Sequence, residues 1–230
     1  MVQTASTRAL HGVVFDLDGT LLDTAPGLTE ALNRVLREVG RAPLAVAQVK
    51  PMIGDGVDRL IQRAAEATGG PLPPDDHVRT VLRYRALMLE APAPAAYPGA
   101  REALERLRLA DVRLVVCTNK PSAAARDVLR DSGLDDLLNG VVGADAAPLK
   151  PDPTMVREAL LTIEVSPSHA VLVGDSEVDV ATARAAGIAV VLLGHGYVRG
   201  PLIEAGADAT TNGFATLLPT LESIGFRIGA

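Results

Sequence analysis

Apolar positions along the chain follow two different spacings, and the changes between them divide it into segments. Gly12 to Phe15 is a short apolar run that stops at two carboxylates, Asp16 and Asp18, followed at once by Gly19 and Thr20. Beyond Thr24 the spacing becomes helical: Leu28, Leu32, Val35, Leu36 and Val39 fall on one face, and Gly40 ends it. Further helices are predicted over Leu44–Met52, Val57–Thr68 and Asp75–Glu90, with no strand pattern between them. Ala91–Gly99, APAPAAYPG, reads as a proline-stiffened linker.

From Gly99 onward helix and apolar run alternate. A helix over Ala100–Leu109 precedes VRLVVCTN, Ser122–Ser132 precedes GVVGAD, Thr154–Ile163 precedes HAVLVGD, and Val178–Ala186 precedes IAVVLLG. Short Val-rich runs between amphipathic helices predict an α/β fold, a doubly wound parallel sheet covered on both faces. The tail predicts a short edge strand and a closing helix. The expected division is a core of residues 1–23 and 95–230, with an all-helical insert of residues 24–94.

Ligands of such sheets bind beyond the carboxyl ends of the strands. Asp16 and Asp18, Thr118 and Asn119, Lys150 and Asp175 all fall at or just beyond such ends. A buried strand cannot hide unpaired carboxylates cheaply, so acids at the point where an apolar run stops suggest charge delivered to a crevice. If Asp16 closes its strand, the i, i+2 spacing turns Asp18 toward the same space. An acidic turn at an ordinary strand end is the bland alternative, and the convergence of four strand ends argues against it.

Bulk properties narrow the field. The 230 residues are 48% hydrophobic, with mean hydropathy +0.22, so a folded globule with a substantial core is expected. Aromatics make up only 3%, Trp is absent and the net charge is -6, which opposes nucleic acid as a partner. A small anionic substrate stays open, because local cations or a metal can reverse the field within one cleft. Cys117 is the only cysteine, so an internal disulfide and a Cys-based zinc site are excluded, and a reducing cytoplasm is expected. The histidines, His11, His77, His169 and His195, form no metal-ligand pattern. Residues 1–12 lack the apolar core of a signal peptide and read as a loose leader, and no run reaches membrane-spanning length.

DLDGTLLDT, CTNKP, the lysine of PLKPDP and VGDSEVD stand in an order and at separations that resemble the haloacid dehalogenase superfamily phosphatases. YPGAREAL, ATARAAGI and HGYVRG resemble its bacterial phosphoglycolate phosphatase branch, and the likeness spans nearly the whole chain. The resemblance implies an aspartyl-phosphate mechanism, with Asp16 as nucleophile and Asp18 as the acid and then the base. It implies Mg2+ held by Asp16, the main-chain carbonyl of Asp18, Asp175 and Asp179, the last directly or through water. Thr118 and the backbone amide of Asn119 would hold phosphoryl oxygens, and Lys150 would neutralise charge there. Read alone, Asp179 is an acid favouring a helix N-terminus, Thr118–Asn119 is turn chemistry, and Lys150 is a solvated loop cation.

The insert would be a cap that reads the leaving group. Gly54 and Gly56 flank Asp55 just before a helix, where backbone amides can receive a carboxylate and Arg59 or Lys50 could add charge. The competing reading makes Asp55 a simple N-cap with Arg59 and Arg63 on a solvated face. Tyr197 and Arg199 either border the site or serve the glycine-rich loop. The expected substrate is a small phosphorylated metabolite, 2-phosphoglycolate first, for a monomer or homodimer. Alternatives are a sugar-phosphate phosphatase, a pyrophosphatase, a phosphomutase, or a receiver-like phospho-acceptor module. The last has no use for an insert of about seventy residues.

Overall fold

The computed structural model describes residues 7–229. Arg8–Ala9 forms β1 and Gly12–Phe15 forms β2. Leu22–Asp23 (β3) then leads into four helices: α1 Ala25–Glu38, α2 Val46–Val49, α3 Val57–Ala67 and α4 Pro74–Met88. Ala95–Ala96 (β4) brings the chain back. Helix and strand then alternate: α5 Ala100–Leu109, β5 Arg113–Cys117, α6 Ser122–Asp131, β6 Gly140–Val142, α7 Thr154–Thr162 and β7 Ala170–Gly174. The remainder is α8 Glu177–Ala186, β8 Ala189–Leu193, β9 Ala209–Thr211, α9 Leu217–Ser223 and β10 Phe226–Arg227.

The central sheet has six strands in the order β6-β5-β2-β7-β8-β9, and every pairing in it is parallel. The chain steps from β2 to β5 to β6 and then returns to β7 on the other side of β2. That reversal opens a crevice at the carboxyl end of β2, where such sheets bind ligands. Alternate residues of each strand serve opposite faces. Val13 and Phe15 pack with α5, α6 and α9 through Leu104, Leu129 and Leu217, whereas Val14 packs with α7 and α8 through Val156, Leu160 and Ala183. Burial on both faces is why these strands read as continuous apolar runs rather than alternating ones.

Helices α1, α3 and α4 bury a separate core of Leu32, Val35, Leu36, Ile61 and Tyr84, joined by Tyr197 from the loop after β8. Where the segment enters and leaves, β3 and β4 pair antiparallel, Leu22 with Ala96 and Asp23 with Ala95. The proline-rich linker thus carries a short strand rather than free coil. The single helix expected over Leu44–Met52 is instead α2 followed by a 3-10 turn, Lys50–Met52. Pro51 has no N–H to continue the ladder of hydrogen bonds.

The leader also differs from its expectation. β1 pairs in parallel with β10, and Leu10 is buried, so residues 8–10 belong to the fold. Residues 1–6 of that leader lie outside the described residues. No helix among the described residues is long and apolar enough to cross a membrane.

Candidate active site

The sheet itself fixes Asp16. Its backbone N–H donates to Val173 O at 2.9 Å, extending the β2–β7 ladder by one residue, so the side chain stands at the carboxyl edge. The chain then turns tightly: Leu21 N and Leu22 N both donate to Leu17 O, at 3.0 and 3.1 Å, and Gly19 N donates to Leu22 O at 2.9 Å. Gly19 sits at φ +92, where a side chain is strained, and a Cβ there would overlap the Asp175 carboxylate and approach Tyr197 Cδ2 to 2.8 Å. Gly19→Ala is expected to cost about 1–3 kcal/mol from strain and overpacking, measured as a lower urea midpoint at unchanged slope.

Asp175 follows β7 and is 1% exposed. Thr20 Oγ1 donates to its Oδ1 at 2.9 Å and Tyr197 N donates to its Oδ2 at 2.6 Å. Asp179 is fully buried in the first turn of α8, where its Oδ2 accepts from Ser176 Oγ at 2.7 Å, Ser176 N at 3.1 Å and Asp175 N at 3.2 Å. It therefore closes the helix N-terminus, the role read from its position alone, and still turns its other oxygen to the cleft. Lys150, 4% exposed, is no solvated loop cation. Its Nζ lies 2.8 Å from Asp16 Oδ1 and 2.7 Å from Asp179 Oδ1.

Asp16, Asp175 and Asp179 each offer a carboxylate oxygen within 4.8 Å of the others. With Lys150 as the cation seated between two of them, the group is short of positive charge. Burial, opposed by Lys150 and reinforced by Asp179, pushes Asp16 up to about 7. Asp175 is raised well above the ordinary carboxylate range by burial and then by Asp179 and Asp16. Burial works against the Lys150 ammonium, yet Asp16 and Asp179 outweigh it and hold its pKa above the usual lysine value.

β5 ends at Cys117, a buried thiol that burial raises to about 12. Thr118 follows, 1% exposed, with its N–H on Val142 O at 3.0 Å. Asn119 ties three segments together: its Nδ2 donates to Gly54 O at 2.7 Å and Lys150 O at 3.1 Å, and its Oδ1 accepts from Lys150 N at 2.8 Å. Asp18 is engaged by Lys120, whose Nζ lies 2.8 and 2.9 Å from its two oxygens. The sequence reading quoted Lys120 within CTNKP but gave it no role. It also missed Thr20, whose hydroxyl two residues past Asp18 was the available signal.

The helical segment contributes differently than expected. Gly56, not Asp55, is the N-cap of α3. The Asp55 carboxylate is held by Arg63 and by Arg199 Nη2, the latter at 2.5 Å. Burial opposes its ionisation, and the two guanidiniums outweigh that and lower its pKa. Arg199 further donates to Pro51 O at 2.8 Å, and its N–H to Glu177 Oε1 at 2.9 Å. Arg59 is exposed and bonds Gln62 Oε1 at 2.8 Å, with no hydrogen bond or ion pair to the strand ends among the described residues. Tyr197 OH donates to Asp23 at 3.1 Å and accepts from Ala25 N at 2.9 Å, joining the Asp175 loop to the entry of α1.

Residues 10–187 match the family model of haloacid dehalogenase-like hydrolases. A phosphoglycolate phosphatase of Rhodospirillum rubrum is 46% identical over 228 residues, covering 95% of each chain. The crystal structure of a predicted phosphoglycolate phosphatase from Haemophilus somnus superposes with a TM-score of 0.85 at 30% identity, covering 91% of this chain and 97% of that one. CbbY from Rhodobacter sphaeroides, solved with xylulose-(1,5)bisphosphate, superposes with a TM-score of 0.71 at 26% identity over 90% of this chain and 96% of that one. A fold, a match across most of the chain and a relative at this identity agree: the chain belongs to the haloacid dehalogenase-like hydrolase family.

Proposed function

We propose that the protein hydrolyses 2-phosphoglycolate to glycolate and phosphate through an aspartyl-phosphate on Asp16, with Mg2+ as its cation. The reaction class, phosphoric monoester hydrolysis, follows from the family and from the relatives. The observation that carries the mechanism is the Lys150 ammonium wedged between Asp16 and Asp179 beside Asp175, where four strand ends meet.

Monoester hydrolysis calls for accelerations approaching ~10²¹, whereas one acid–base group supplies roughly 10² to 10⁴. Covalent and electrostatic catalysis must therefore carry most of it. Asp16 attacks phosphorus as the leaving-group oxygen departs, and Asp18 gives that oxygen its proton. Asp18 then takes a proton from water, which attacks the acyl-phosphate and regenerates Asp16. Thr118 and the backbone N–H of Asn119 hold the phosphoryl oxygens, and Lys150 holds their charge.

The buried all-oxygen donor set, short of positive charge, suits a hard divalent cation. Asp16, Asp175 and the Asp18 carbonyl would hold it, with Asp179 directly or through water. When bound, it would neutralise charge on the transferring group. Residues 24–94 form the cap in this reading, docked through Asn119–Gly54 and Arg199–Asp55. Gly54 and Gly56 contribute the loop that faces the leaving group. A signalling role has no support from a family of hydrolases.

The test is phosphate release from 2-phosphoglycolate, hexose phosphates, pyrophosphate and nucleotides, with Mg2+ or with EDTA. The expected result is the highest kcat/KM for 2-phosphoglycolate, lost in EDTA and restored by Mg2+. A different best ester overturns the substrate, and turnover that survives EDTA overturns the cation.

A further inference from the structure

The reaction scheme above leaves the ammonium of Lys120 without a task, although it sits inside the cleft with its side chain 13% exposed. Its backbone is fixed at both ends, the N–H on Thr118 Oγ1 at 3.2 Å and the carbonyl accepting from Ala144 N at 3.0 Å. Two of its donors reach the Asp18 oxygens at 2.8 and 2.9 Å. An ammonium has three donors, and no acceptor among the described residues takes the third. A spare ammonium donor beside Asp18 points to a polar group of the substrate.

We infer that Lys120 is the specificity-determining cation of the cleft, its third N–H taking the carboxylate of the leaving group. The inference rests on the 2-phosphoglycolate reading and deepens it. Asp18 must touch the oxygen that bridges phosphorus and carbon. The glycolate carboxylate is two bonds beyond that oxygen, so a group seated against Asp18 has the Lys120 ammonium beside it. Lys150 serves the phosphoryl side, on Asp16, and Lys120 the leaving-group side. An ester of the same length without a carboxylate leaves the third donor unused.

The experiment compares 2-phosphoglycolate with ethyl phosphate in the wild type, Lys120→Met and Lys120→Arg, all with Mg2+. The ratio of the two kcat/KM values is internal to each preparation, so loss of folded protein cancels. The expected result is a ratio that falls about 10- to 100-fold in Lys120→Met, chiefly through KM for 2-phosphoglycolate, and recovers in part in Lys120→Arg. If the wild type favours 2-phosphoglycolate but Lys120→Met loses both esters equally through kcat, Lys120 only holds Asp18 and the inference fails while the substrate reading stands. If the wild type shows no preference between the two esters, the substrate reading fails and the inference falls with it.

Discussion

Asp16→Asn is expected to abolish turnover, with kcat down by ~10⁴-fold or more, while leaving a folded protein. The amide is nearly isosteric and can still accept from Lys150, but it cannot form the acyl-phosphate. Stability should move the other way. Burial raises Asp16 to about 7, above its unfolded value of 3.8, so its contribution to stability is fully present below about pH 4 and is lost as pH rises through about 7. Asn does not titrate. Metal-free Asp16→Asn should therefore lose less stability than the metal-free wild type between pH 4 and pH 7, read by urea denaturation across that window. Near wild-type phosphate release from the variant would remove the covalent mechanism, and identical pH profiles would remove the electrostatic account of the site.

Lys150→Met should damage both folding and catalysis. Its ammonium sits 2.8 and 2.7 Å from two buried carboxylates, and removing one partner of such a group typically costs about 3–5 kcal/mol because the charges left behind are uncompensated. For a chain of 230 residues this corresponds to a Tm lower by about 6–20 °C in metal-free buffer. Added Mg2+ should recover part of that, since a bound cation stabilises the state that binds it. Below its melting range, the variant should keep kcat lower by roughly 10² to 10³, the loss expected for one preorganised group on the transferring charge. A Tm within a degree or two of the wild type would overturn the view that Lys150 compensates these two buried carboxylates.

Much of this architecture is written locally. The switch from apolar runs to helical spacing at Thr24, and back to alternation at Gly99, separates the helical segment from the sheet because periodicity depends only on near neighbours. The α5 boundaries, Ala100–Leu109, coincide with their expectation. The helix expected over Leu44–Met52 was less legible, since its spacing was right but Pro51 interrupts the hydrogen-bond ladder. The leader looked loose because two residues, Arg8 and Ala9, carry no strand signal until β10 arrives from the far end of the chain.

Local pattern was enough to set acids, a threonine, an amide and a lysine at strand ends, because an apolar run cannot absorb such groups and must stop at them. It could not assign their partners. Lys120 reaches Asp18 across 102 positions and Arg199 reaches Asp55 across 144. Arg59 is the arginine of the helical segment that the sequence offers to a ligand, yet Arg63 and Arg199 hold Asp55 and Arg59 turns to Gln62. Their partners are chosen by the packing of distant segments. Helix and strand follow from spacings along a few turns of chain, whereas the pairing and burial of a charge depend on which distant segments close around it and exclude water.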